Sequence, residues 1–299
     1  MMIKIASAQY PVSYHSSLED WKSHTEKWIK QAVAEQAAIL LFPEYGAMEL
    51  VSIFPIEIQQ DLQEQLEQLQ TIYPDFCHYF ETMASRYNVV IIASSFPVKE
   101  GAVFYNRVNV FSAKGNCGYQ DKFFMTRFED ETWHINSAPK VLTVFQAETL
   151  KFGIQICYDV EFAIGSKLLC DAGAELILAP SCTETISGAT RVHIGARARA
   201  LENQCYVLVS QTVGNALWSP AVDINYGYAA TYVTPDLDFP EEGILKTGNP
   251  QEECWLYTEL DMEKIKKVRN ERQVPNFRSH QTLTYGFKEE RIEVRKVHC

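Results

Sequence analysis

The chain of 299 residues carries a formal net charge of −11, with 46% hydrophobic and 22% charged residues. That composition fits a soluble globular protein with a substantial core. The acidic balance excludes a nucleic-acid surface, which must neutralise phosphates with clustered Lys and Arg. Here the densest basic stretch, residues 264–272, is accompanied by Glu263 and Glu271 and reads as a solvated helix face.

No window approaches 18 uncharged apolar residues, so no membrane span is expected. The start lacks a basic segment followed by an apolar one, which leads to the expectation of a cytoplasmic protein without a signal peptide. The eight cysteines, at 77, 117, 157, 170, 182, 205, 254 and 299, form no C-x-x-C pair and have no accompanying His cluster. Reduced thiols are expected, with no disulfide framework, no metal and no cofactor.

In chain order, residues 3–9 form a first strand. Ser17 then precedes a helix whose Trp21, Trp28, Ile29 and Val33 share a face. Residues 38–42 are a continuous apolar strand stopped by Pro43, and Glu44 follows directly. Residues 57–70 read as an exposed helix, 75–87 as another, and 89–94 as a strand. Residues 104–111 and 118–122 look like a strand pair turning at Lys114-Gly115-Asn116. Residues 151–156 alternate as a short buried strand that delivers Cys157. A helix over 162–172 capped by Gly173, a strand over 176–179, a polar loop over 181–188 and a helix over 189–203 come next. Strands over 206–211, 226–233 and 255–260, a helix over 261–268 and a polar tail complete the chain. With no repeat or linker, the expectation is one α/β domain over 1–270 and a tail over 271–299, layered as a sandwich.

Three reactive side chains arrive at comparable places. Glu44 follows one strand, Lys122 ends a second and Cys157 ends a third, and ends of neighbouring strands lie together. A carboxylate can take a thiol proton, pass it to a leaving amine and then activate water. An ammonium stabilises the thiolate and, with the N–H of Tyr158, faces the oxyanion of a tetrahedral intermediate.

Phe42-Pro43-Glu44-Tyr45, Asp121-Lys122, Gly153-Ile-Gln-Ile-Cys157-Tyr158-Asp159 and the Arg199-Ala-Leu-Glu202-Asn203 segment resemble, in order and spacing, the carbon–nitrogen hydrolase (nitrilase) superfamily. The resemblance runs from residue 2 to about 260 and leans towards the amidase branches, because nitrile-hydrolysing members have Cys-Trp-Glu where this chain has Cys157-Tyr158-Asp159. It implies a four-layer αββα sandwich that dimerises, with Glu44 as general base, Lys122 as oxyanion stabiliser and Cys157 as nucleophile. A second glutamate past the lysine is implied to be Glu129, with Glu131 in reserve, orienting Lys122. Two features depart from the family pattern. Glu161-Phe162-Ala163-Ile164 stands where many members have Phe-Pro-Glu, and the residues after Lys122 look like a less-characterised bacterial branch.

Tyr45, Trp133, Tyr158 and Thr183 are the expected substrate contacts. The expected reaction is hydrolysis of a small linear amide or N-carbamoyl compound through an acyl-thioester, in a homodimer or larger homo-oligomer. Rival readings are a nitrilase, a catalytically silent binding protein and a Cys157–His134 thiol hydrolase. Asp159, Arg199 and Glu202 are read as structural, and Cys182 as a buried spectator.

Overall fold

The structure, a computed structural model, describes residues 2–289 apart from 149, 237, 272 and 273, and of residues 283–289 the backbone alone. Successive side chains of a strand point to opposite faces, so one strand can supply two cores. In the strand Met2–Pro11, Ala6, Ala8 and Tyr10 enter one hydrophobic cluster and Ile5 enters the other. Leu40 and Leu41 divide in the same way, as do Ile91 and Ile92.

The first cluster is closed by the helices Leu18–Ala34 and Tyr73–Tyr87, through Trp21, Trp28, Phe76 and Phe80. Ser17 caps the first of these as expected, its side chain accepting the N–H of Asp20 at 3.2 Å. The second cluster joins Val108 and Val110 of one half of the sheet to Phe152, Ile154 and Ile177 of the other. It continues into the helix Ile186–Asn203 through Val192, Ala196 and Ala200. The result is helix, sheet, sheet and helix in succession, the four-layer αββα sandwich.

All fourteen strands among the described residues belong to one hydrogen-bonded sheet that curls into these halves. Met2–Pro11 is the joint. Its first residues pair antiparallel with Cys254–Asp261 and parallel with Ile39–Leu41. Only Gln9, Tyr10 and Pro11 pair across, parallel to Gln211, Thr212 and Val213. From the joint, Ile39–Leu41 leads to Val90–Ile92, Val103–Ser112 and Gly115–Asp121, the last two steps antiparallel. On the other side, Tyr206–Asn215 leads in parallel to Leu176–Ser181 and Leu150–Ile154. Two antiparallel steps cancel, so Ile39–Leu41, Gly115–Asp121, Leu150–Ile154 and Leu176–Ser181 all run towards the same edge. Glu44, Lys122, Cys157 and Cys182 follow these strands directly or within three residues.

Some elements differ from expectation. The helix read over 57–70 is two, Ile56–Gln59 and Leu62–Leu69, because the Asp61 carboxylate caps a new start by accepting N–H from Gln63 and Glu64. It is also not fully exposed, since Gln59, Gln65, Leu66 and Leu69 are buried. The buried 3₁₀ segment Gly46–Ile53 and the strands Phe96–Glu100, Val144–Ala147 and Ile244–Thr247 are additional. Part of the expected polar tail is a helix, Asn276–Glu289. It docks through the Phe277 N–H on Gln204 Oε1 at 3.1 Å and the Phe277 ring under Arg269 at 4.3 Å. The rest of that tail, residues 290–299, lies outside the described residues.

Gly195 sets how closely the helix Ile186–Asn203 meets the turn that carries Cys157. A Cβ there would stand 2.9 Å from the Val160 carbonyl oxygen and 3.1 Å from Glu161 Cα, both main-chain atoms. We expect Gly195→Val to destabilise the protein by about 1–3 kcal/mol through overpacking, read from urea unfolding midpoints. An unchanged midpoint would show that the helix lifts away from the turn without cost.

Candidate active site

Glu44, Lys122, Glu129 and Cys157 meet at that common edge. Lys122 is only 1% exposed, and an isolated ammonium at such depth would be strongly disfavoured. It is instead bridged by two carboxylates, Glu44 Oε1 at 2.8 Å and Glu129 Oε1 and Oε2 at 2.8 and 2.7 Å. Burial alone would lower the lysine pKa, but Glu129 and Glu44 outweigh it and hold it well above the ordinary value. Lys122 is therefore a fixed cation.

The remaining carboxylate positions are capped by neutral donors. Asn106 Nδ2 donates to Glu44 Oε1 at 2.8 Å, and the Cys182 N–H donates to Glu44 Oε2 at 2.8 Å. The Tyr45 hydroxyl donates to Glu129 Oε1 at 2.7 Å, while the Thr126 N–H and hydroxyl reach Glu129 Oε2 at 2.9 and 2.8 Å. This unequal support separates the two acids. Burial tends to raise both, but Lys122, Thr126 and Tyr45 bring Glu129 below the ordinary range. Glu44, for which burial is the largest influence, stays above it despite the pull of Lys122.

Cys157 lies beyond the strand Leu150–Ile154 and opens the 3₁₀ turn Cys157–Glu161. Its φ of 48° is left-handed, a conformation that costs a non-glycine residue about 1–2 kcal/mol and is typical of strained functional positions. The turn is fastened at both ends. Asp159 accepts the N–H groups of Phe123 and Phe124 at 3.1 and 2.8 Å, which ties it to the segment after Lys122. Arg199 donates to the Glu161 carbonyl at 3.3 Å while pairing with Glu202 at 3.0 Å. The expectation that Lys122 holds Cys157 as a thiolate is not met in the resting site. Burial and the Glu44 charge raise the thiol well above its ordinary value, because the ammonium is already shared by two carboxylates. The thiol sits 3.6 Å from the Cys182 carbonyl oxygen, to which it donates, within reach of the Glu44 charge.

These groups line a cleft of about 570 Å³, within the usual range for a small-molecule site. Tyr45, Trp133, Tyr158 and Thr183 line it as well. Tyr45 is committed to Glu129 and packs on Trp133 at 4.7 Å, and Thr183 donates to the Tyr226 carbonyl at 2.7 Å. The cleft also has a charged rim, where Arg191 stands 3.4 Å from Glu161. Glu131 is turned outward to Arg127 at 2.6 Å and takes no part in the Lys122 cluster. His134 is an exposed loop residue outside the cleft lining, with its ring Nδ1 3.4 Å from the Asp130 carbonyl.

Three partners of the cluster were missed from the sequence, among them Thr126, whose N–H and hydroxyl both reach Glu129. Asn106 is an inward polar residue in the alternating strand Val103–Ser112, a weak but present signal. Cys182 acts through its main chain, which side-chain chemistry does not reveal.

A model of the Carbon-nitrogen hydrolase family matches residues 4–270. YhcX of Bacillus subtilis, described as a probable hydrolase, is 30% identical over 267 residues, 89% of this chain and 51% of that protein. The chain thus spans about half the length of that relative. Omega-amidase NIT2 of Xenopus tropicalis is 27% identical over 280 residues, 89% of this chain and 91% of its own. The crystal structure of a carbon-nitrogen hydrolase from Helicobacter pylori G27 superposes with a TM-score of 0.77 at 18% identity, covering 97% of this chain and 99% of that one.

Removing the shared cation should leave two buried carboxylates facing each other. Lys122→Met is expected to cost about 3–5 kcal/mol in urea unfolding, the range for a broken buried ion pair. Adding Glu129→Gln should recover part of that loss. Equal stability of the single and double variants would refute the charge balance described here.

Proposed function

We propose that this chain, which belongs to the carbon–nitrogen hydrolase family, is an amidase that cleaves the non-peptide C–N bond of a small linear amide or N-carbamoyl compound through a thioester on Cys157. The observation that carries the reading is one buried cation, Lys122, held between Glu44 and Glu129 in the cleft that also receives the Cys157 thiol.

In this mechanism the thiol is not ionised beforehand. As Cys157 Sγ bonds to the substrate carbonyl carbon, its proton passes to Glu44, whose pKa burial raises, making it a better proton acceptor than an ordinary carboxylate. The developing oxyanion faces Lys122 Nζ and the Tyr158 N–H, at the start of a turn where N–H groups lack intrahelical partners. Glu44 then returns the proton to the leaving nitrogen, the C–N bond breaks, and ammonia or an amine departs. Water attacks the thioester as Glu44 takes its proton. The C–S bond breaks, the proton returns to sulfur and the acid is released. Glu129 keeps Lys122 charged and aimed. Tyr158, Trp133 and Thr183 shape the substrate's place, and Tyr45 holds Glu129 from the cleft wall. No metal or cofactor enters any step.

The test is ammonia release across amides, N-carbamoyl compounds and nitriles, with Cys157→Ala as the blank. Turnover of an amide, and an acyl adduct in the intact mass that Cys157→Ala lacks, are expected. Acid formed from a nitrile while the matching amide stays inert would replace this reading with a nitrilase. No turnover and no adduct from any compound would leave a silent binding protein. Glu44 must be ionised to accept the thiol proton, so activity is lost as pH falls through its raised pKa. We therefore expect kcat/KM to rise through an apparent pKa above the ordinary 4.5 and to stay level past pH 9. Glu44→Gln should lower kcat by about 10²–10⁴-fold, the usual contribution of a general acid–base.

The same proposal places the protein in the cytoplasm, in keeping with free cysteines throughout the described residues and no described helix long and apolar enough to cross a membrane. It also makes the protein a homodimer. Ile164, Leu168, Ile194 and Leu201 stand exposed on the outer helices Ala163–Asp171 and Ile186–Asn203, an apolar surface suited to a second copy. The docked tail helix would extend that interface. Light scattering should give twice the monomer mass for the parent chain and a monomer for Ile194→Lys. A monomeric parent would remove the dimer.

A further inference from the structure

We propose that His15, His24 and Glu49 form a binding site for one divalent cation of the Zn²⁺ type, on the outer side of the first half-sheet and separate from the Cys157 cleft. Among the described residues they are the group of potential ligands that converges, their ligand atoms all lying within 4.8 Å of one another. They come from three different pieces of chain. His15 lies in the connection after Met2–Pro11, His24 in the helix Leu18–Ala34, and Glu49 in the 3₁₀ segment Gly46–Ile53 that directly follows Glu44 and Tyr45.

Each ligand is prepared by its neighbours. Glu49 is buried, and its Oε1 is saturated by the Tyr10 hydroxyl at 2.8 Å and the Trp21 indole N–H at 2.6 Å. These bonds aim Oε2, which faces His15 Nε2 at 3.3 Å and the Ser13 N–H at 3.4 Å. His15 is 3% exposed, and the Nε2 atoms of both His15 and His24 are buried without a hydrogen-bond partner. Asp20 Oδ2 lies 3.9 Å from His15 Nδ1, on the far side of the ring from Glu49.

Zn²⁺ holds His nitrogen and Glu oxygen at about 2.0–2.2 Å in a tetrahedron, which puts neighbouring ligand atoms roughly 3.3–3.5 Å apart. His15 Nε2 and Glu49 Oε2 are already at that spacing. His24, only half-buried, closes the set by a small side-chain rotation and offers a way in from solvent. Two imidazoles and one carboxylate suit Zn²⁺ or Co²⁺ better than Mg²⁺ or Ca²⁺, which favour oxygen. Such an ion would pin the outer helix and the His15 connection to the segment beside Glu44. The sequence gives little hint of it, because the three residues are dispersed and no short His spacing marks them.

The test uses the untagged full chain carrying Cys157→Ala, so that the catalytic thiol does not compete, stripped with a chelator and titrated with Zn²⁺ or Co²⁺. We expect one equivalent bound, a rise in melting temperature on adding Zn²⁺, and visible d–d absorption of tetrahedral Co²⁺ without a thiolate charge-transfer band. His24→Ala and, independently, His15→Gln should lose that equivalent, the melting shift and the Co²⁺ band while keeping the parent's circular dichroism. Uptake by other thiols is common to all three proteins, so the difference is the readout. Equal uptake in parent and His24→Ala, no saturable uptake at equimolar metal, or a Co²⁺ spectrum dominated by thiolate would each overturn the proposal. In the first two cases the cluster would be a plain buried His15–Glu49 contact.

Discussion

The ammonium of Lys122, shared by Glu44 and Glu129 in the interior, is the constraint to which the rest of the site answers. Three charges so deep are expensive to desolvate, and their attraction offsets that cost only when every remaining lone pair is also met. Asn106, Tyr45, Thr126 and the Cys182 N–H meet them. The donors come from strands and turns far apart in sequence, so the site exists only once both halves of the sheet have closed. An apolar replacement would be cheaper for folding alone. The cluster leaves an excess of one negative charge, and this explains why the sulfur rests as a thiol although a lysine is present. Glu44 and Cys157 are then coupled, because a proton that leaves the thiol for Glu44 ionises one and neutralises the other.

Around this cluster the scaffold is built to hold a strained turn. Cys157 adopts a left-handed conformation, and nothing in its own sequence favours one. Asp159 ties the turn to the segment after Lys122, Arg199 holds its last carbonyl, and Gly195 lets a helix rest against its main chain. Burial pushes the Asp159 carboxyl up to about 7, so the residue next but one to Cys157 is itself sensitive to pH near neutrality. Cys157 and Lys122 are thus fixed by the same few contacts.

Much of this was readable from residues. The strands that lead to Glu44, Lys122 and Cys157 are short apolar or alternating runs, and their common direction follows from parallel pairing with an even number of antiparallel steps. The αββα layering was legible through the likeness in the four motifs, since periodicity alone gave only alternation. Other features were not legible because they do not depend on side-chain pattern. The break at Asp61 comes from a capping carboxylate inside a run that reads as continuous helix. The buried Gly46–Ile53 segment has no period of its own, being hidden all round. The state of the sulfur depends on how many carboxylates share one ammonium, which is a sum over distances that spacing does not encode. Glu129 and Glu131 differ by two positions in a π-helical turn, yet one points into the protein and the other into water.

The Cys182 main chain has a further consequence. Its N–H steadies Glu44 and its carbonyl accepts from the Cys157 thiol, so these contacts are made by its backbone, while its side chain meets Asn225 at 3.3 Å. Saturation mutagenesis would record position 182 as permissive to small side chains and intolerant chiefly of proline, which has no N–H. A main-chain contact to Glu44 can therefore leave little trace in a substitution profile.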